Sequence, residues 1–127
     1  MILDRLTIHN FGVYAGRQAI ELTPPSPQRP VILIGGLNGG GKTSLLDAIQ
    51  LCLFGSHAKV SNRSALSYPD YLCRSIHRGT GSDEASIEIR FRHTVDGSED
   101  NYTLFRSWRR NGSGCKERLE VLKNGRL

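Results

Sequence analysis

Polar and apolar residues along this chain follow two rhythms, and the elements begin and end where one rhythm gives way to the other. Over residues 85–92, Ala85, Ile87, Ile89 and Phe91 alternate with Ser86, Glu88, Arg90 and Arg92. A period of two with one polar side predicts a strand whose second face is wet. Asp96-Gly97 punctuates it, residues 102–109 resume as a strand, and the run from Asn111 to Gly114 turns again. Residues 118–123 supply one more strand before an Asn124-Gly125 turn signal, so an antiparallel meander is predicted over about residues 85–123. At the other end, residues 2–11 read as a strand with Ile2, Leu6 and Ile8 on one side. Asn10 to Gly12 turn it, and residues 17–22 return. The proline-rich stretch 23–30 cannot be regular structure and predicts a surface loop.

Two segments have a different pattern. Residues 31–34, Val-Ile-Leu-Ile, form a β-branched apolar run suited to a strand buried on both faces. From Ser44 to Phe54, Leu45, Leu46, Ile49 and Leu53 recur at helical spacing. The stretch 57–81 is polar and irregular, with a short helical tendency at residues 68–76.

Between that apolar run and that helix lie Gly36, Leu37, Asn38, Gly39, Gly40, Gly41, Lys42 and Thr43, which fit G-x-x-x-x-G-K-[ST]. Five glycines within residues 35–41 let the backbone curl around phosphate oxygens, because no Cβ blocks positive φ. The helix N-terminus adds free N–H groups and the positive end of a dipole. A glycine-rich turn that binds nothing is the bland alternative, and the strand and helix on either side weigh against it. The pattern therefore points to a nucleotide site with Mg²⁺.

Composition refines this picture in a few places. At 127 residues and 38% hydrophobic content, the chain is one small domain or part of a larger protein, with enough apolar residues for a core. The net charge of +5 fits a polyanionic partner, which the nucleotide alone would satisfy. Seven basic residues gather in the meander around Trp108: Arg90, Arg92, Arg106, Arg109, Arg110, Lys116 and Arg118. They read either as phosphate contacts to DNA, with Arg106, Arg109 and Arg110 the chosen candidates, or as a solvated face paired with Glu88, Glu117 and Glu120. Cys52, Cys73 and Cys115 are odd in number and widely spaced, which predicts reduced, packed thiols and a cytoplasmic location. Asp47 predicts a capping or surface role, and the histidines lack metal-ligand spacing. No segment reads as a signal peptide or a membrane span.

The strand ending in Asn10-Phe11, followed by residues 36–49, resembles the SMC/SbcC-type ATPases. That resemblance implies an α/β P-loop NTPase fold of the ABC/SMC-like head type, with residues 1–127 as the N-terminal lobe. A coiled coil and a C-terminal lobe, carrying the signature and the Walker B carboxylates, would lie beyond this piece. The chain is accordingly expected not to hydrolyse ATP alone. Carried across, Lys42 would contact the β- and γ-phosphates, Thr43 would hold Mg²⁺, Ser44 would lie near the α-phosphate, and Asn38 would face the terminal phosphate. Gly12 stands where many relatives have Arg or Lys. Two such heads would sandwich ATP as a homodimer acting on DNA. More narrowly, residues 35–51 and 64–79 resemble the DndD family, the ATPases of DNA phosphorothioation, whose partners would include DndC and DndE. A repair ATPase of the SbcC or RecF type and an ATP-gated DNA clamp without catalysis are the rival readings.

Overall fold

The computed structural model describes residues 1–29, 41–61, 63, 65–79 and 81–127. Five strands form one sheet: β1 (Ile2–His9), β2 (Arg17–Glu21), β3 (Glu84–Val95), β4 (Ser98–Asn111) and β5 (Gly114–Lys123). Their order is β2-β1-β3-β4-β5, and each neighbouring pair is antiparallel. The meander forms as its turn residues predict. Asp96 and Gly97, which join β3 to β4, take φ values of 51° and 77°, Gly112 in the turn between β4 and β5 takes 65°, and Asn124 and Gly125 turn the chain after β5 at 51° and 81°. Positive φ at both central residues matches the right-handed twist of the strands that a two-residue hairpin joins. The N-terminal hairpin enters the same sheet through β1, where Leu6 faces Ile89 and Ile8 faces Ile87.

One face of the sheet is covered by α1 (Lys42–Phe54) and α2 (Tyr68–Ser75). Leu6, Ile8, Ile87, Ile89 and Trp108 from the sheet pack there with Leu45, Ala48, Leu51 and Cys52 from α1 and Leu72 from α2. The small residues Ala48 and Cys52 let α1 lie close, and the Cys52 thiol donates weakly to the carbonyls of Ile87 and Leu104, both at 3.6 Å. Ser67 caps α2 by accepting from the Asp70 N–H at 3.3 Å.

Three expectations are corrected. The pairing of β1 with β3 shifts register between Leu3 and Arg5. This irregularity reverses the alternation, so Leu3 packs toward the core while Ile2 is exposed. In α1 the covered stripe runs through Leu45, Ala48 and Cys52, which leaves Leu46 64% exposed. Cys73 and Cys115 are joined as a disulfide between α2 and β5, and only Cys52 is a free, buried thiol. Spacing along the chain does not reveal that pair, because 42 residues separate its members. The expected strand at residues 31–34 lies outside the described residues.

Candidate nucleotide site

The first residue of α1 is Lys42, and the helix starts from Gly41 in a left-handed conformation at φ 96°. No side chain caps this end and no acidic residue stands in the first turn. The first N–H groups of a helix have no partner within it, so an uncapped start at the end of a glycine loop suits an anion. Lys42 and Thr43 are exposed here and Ser44 is half-buried. The remaining candidates, Gly36, Leu37, Asn38, Gly39 and Gly40, lie outside the described residues.

The turn between β1 and β2 forms the floor of this site. Tyr14 donates its hydroxyl to the Gly41 carbonyl at 2.8 Å, the same oxygen that accepts the first helical bond from Leu45 at 2.9 Å. A Cβ on Gly41 would come within 2.6 Å of the Tyr14 hydroxyl, so glycine is required there by contact as well as by φ. Gly12, at φ 58°, faces Ser44: its missing Cβ would sit 3.0 Å from the serine Oγ. A side chain at this position would be strained and crowded. Tyr14 is a site residue that sequence reasoning misses. An aromatic residue in a turn that otherwise contains glycines is its only signal.

The turn is itself held from below. Asn10 accepts from the Gly16 N–H through its side chain at 2.8 Å, and Phe11 packs edge-on against Trp108 with centroids 5.8 Å apart. The end of α2 supplies the rest. The Gly12 N–H donates to the Ser75 carbonyl at 2.7 Å, the His77 N–H donates to the Asn10 carbonyl at 2.7 Å, and the His77 ring lies 2.9 Å from the Gly12 carbonyl. A cavity of about 250 Å³ opens beside Ser44, bordered by Gly12, Asp47, Ser61, Tyr71 and Arg74. Asp47 accepts from the Ser61 N–H at 3.0 Å and from its hydroxyl. It therefore fastens the segment after α1 by a tertiary contact from the middle of the helix, in place of the expected capping or surface role. Burial, followed by the Asp47 charge, pushes the Tyr71 phenol up to about 12.

At the opposite end of α1 lies Arg106, which must be withdrawn from the DNA candidates. It is 7% exposed and faces the helices. Its Nε and Nη2 donate to the Cys52 carbonyl at 3.3 Å each, and its Nη1 donates to Glu117 at 2.9 Å. A cation against the last carbonyls of a helix offsets the negative end of its dipole. Tyr68 also donates to Glu117, and burial and then that bond raise its phenol above the ordinary range. Trp108 is likewise a core residue, donating its indole N–H to the Leu72 carbonyl at 2.9 Å.

The other two DNA candidates lie elsewhere. Arg109 stands on the uncovered face beside Glu84, and Arg110 sits at the rim, donating to the Cys73 carbonyl at 3.1 Å. Both border a cavity of about 820 Å³ on the open side of the sheet, together with His9, Phe105, Lys116 and Arg118. Glutamate partners are present: Glu88 pairs with Arg90, Glu117 with Arg106, and Glu120 with Arg118. Among the described residues no group of three or more His, Cys, Asp or Glu could hold a metal, and no helix is long and apolar enough to cross a membrane.

The profile of the AAA domain family matches residues 5–124. Arcadin-4 of Pyrobaculum calidifontis is 31% identical over 123 residues, which cover 97% of this chain and 13% of that protein. The DNA double-strand break repair Rad50 ATPase of Halobacterium salinarum is 31% identical over 124 residues, covering 97% of this chain and 12% of the relative. The chromosome partition protein Smc of Synechocystis is 28% identical over 131 residues, covering 97% of this chain and 10% of the relative. The chain thus spans only a small part of the length of these relatives.

Proposed function

The chain belongs to the AAA domain family, and on that premise we propose that it is the Mg-ATP-binding lobe of an SMC-like ATPase that acts on DNA. The uncapped start of α1 at Lys42, inside a complete P-loop pattern, carries this reading. Lys42 would neutralise the β- and γ-phosphates, Thr43 would offer its hydroxyl to Mg²⁺, and the helical N–H groups would bond phosphate oxygens. Turnover needs a positioned water and a complementary surface supplied in trans, so this piece alone binds ATP without hydrolysing it. The full protein would close two heads around ATP.

Isothermal titration with ATP and Mg²⁺ tests the reading. Lys42→Ala removes a charge-assisted contact of about 1.5–3 kcal/mol, so affinity should fall by at least about tenfold while the circular dichroism is unchanged. Equal affinity in the folded variant would sink the assignment.

The narrower reading, an ATPase of DNA phosphorothioation, is favoured by the resemblance of residues 64–79. Nothing in these residues performs sulfur chemistry, so such a role is to power or gate partners that do. A second arm of the same experiment separates it from a repair ATPase: in the native host, Lys42→Ala should abolish phosphorothioate in the DNA, and its persistence would favour the repair reading.

A further inference from the structure

We propose that Cys73 and Cys115 form a reversible thiol-oxidation site whose state is read at the nucleotide loop. The inference rests on the ATP reading above for its last step only.

Three observations converge on the pair. First, it joins elements otherwise held by side-chain contacts. Cys73 lies two residues before the end of α2 and Cys115 near the start of β5. Second, Arg110 stands directly opposite Cys115 on the neighbouring strand and donates to the Cys73 carbonyl at 3.1 Å. Arg110 thus brings a guanidinium to the backbone of both cysteines; the thiolate is the form that reacts with disulfides, and access to solvent governs which cysteine can react. Cys115 is half-buried, so a small reagent can reach it. Cys52 offers the contrast. It is fully buried, desolvation pushes its thiol up to about 12, and it is inert by the same rule.

Third, α2 ends on the floor of the nucleotide site. Two residues after Cys73, the Ser75 carbonyl holds the Gly12 N–H, and His77 holds Asn10 and Gly12. Gly12 in turn lies against Ser44. Tying α2 to β5 therefore restricts the motion of the surface on which the P-loop helix begins. Without the tie, α2 keeps the Trp108 and Arg110 bonds but can rock on them.

The chemistry requires only a small-molecule disulfide such as glutathione disulfide. The Cys115 thiolate attacks one sulfur, forming a mixed disulfide and releasing one glutathione thiolate. The Cys73 thiolate then attacks the Cys115 sulfur and expels the second glutathione. Two protein thiols lose two electrons and two protons, and one glutathione disulfide becomes two thiols.

The test uses the full-length protein equilibrated with reduced glutathione or with glutathione disulfide. Peptide mass spectrometry reads the cross-link, hydrogen exchange reads the amides of Gly12 and His77, and titration reads the affinity for the ATP analogue AMP-PNP with Mg²⁺. Oxidation should yield the Cys73–Cys115 peptide, slow exchange at both amides, and tighten AMP-PNP by about fivefold or more. The Cys73→Ser/Cys115→Ser variant should show neither change. The proposal is overturned if the peptide fails to form, or if it forms and exchange and affinity stay unchanged. It is also overturned if exchange slows while AMP-PNP binds equally in both states. Failure of AMP-PNP to bind in either state would refute the ATP reading instead, and the exchange data would still decide whether oxidation reaches Gly12.

Discussion

Arg106 and Arg109 stand three residues apart on one strand, carry the same charge, and have opposite fates. The Arg106 side chain is 8% exposed and locked between the end of α1 and Glu117, whereas that of Arg109 is 71% exposed beside Glu84. Parity along β4 decides between them: even positions from Tyr102 to Trp108 face the helices, and odd ones face away. A basic cluster counted along a strand therefore mixes two populations. One supports the helix that begins at the nucleotide site, and the other is available to a partner.

The largest expected effect belongs to the inner face. Arg106→Ala leaves the half-buried Glu117, whose side chain is 26% exposed, without its cation and frees the Cys52 carbonyl at the end of α1. Removing one member of a fully buried pair costs about 3–5 kcal/mol, and the access of Glu117 to water lowers the expected loss to about 2–3 kcal/mol. Urea denaturation followed by circular dichroism should show the loss. A change below about 1 kcal/mol would mean that the pair is dispensable and the contrast between faces is superficial.

Arg110 sharpens the comparison because it shares the parity of Arg106 but reaches the rim, with its side chain 44% exposed. Water screens its bond to the Cys73 carbonyl, so Arg110→Ala should cost about 1 kcal/mol, between the other two arginines. A cost equal to that of Arg106→Ala would show that parity alone, without burial, sets the energy.

Much of this is legible in the sequence, and the rest is hidden for identifiable reasons. Period-two alternation locates β3, and the turn residues Asp96-Gly97 and 111–114 locate the hairpin ends, because both signals are local. The helix at Lys42 is also local, since a glycine loop and its helix are contiguous. What stays hidden depends on contacts across the fold. The register shift between Leu3 and Arg5 exists only in pairing with β3, and Cys73 meets Cys115 only after α2 docks. The Tyr14 clamp on Gly41 spans 27 residues, and the turn that carries it has no periodicity to read. Arg106 misleads for another reason: its parity is visible in the sequence, but the density of charge around it points the other way.

The smallest effect on stability, and the sharpest test of the outer face, comes from Arg109, Lys116 and Arg118. These residues border the open cavity around Phe105. Arg109 and Arg118 make ion pairs with Glu84 and Glu120 whose side chains are largely in water. Exposed pairs of this kind are worth about 0.2–1 kcal/mol, so the triple alanine variant should unfold close to the parent. If the face receives a duplex, each lost phosphate contact should flatten the dependence of log affinity on log salt by about 0.9. The fall in affinity should be similar for unrelated sequences, because phosphate contacts carry no base information. Fluorescence anisotropy of the full-length protein with a labelled duplex at several salt concentrations measures both quantities. An unchanged slope in the stable triple variant would leave the outer arginines as a solvated surface, and the DNA contacts would then have to lie elsewhere.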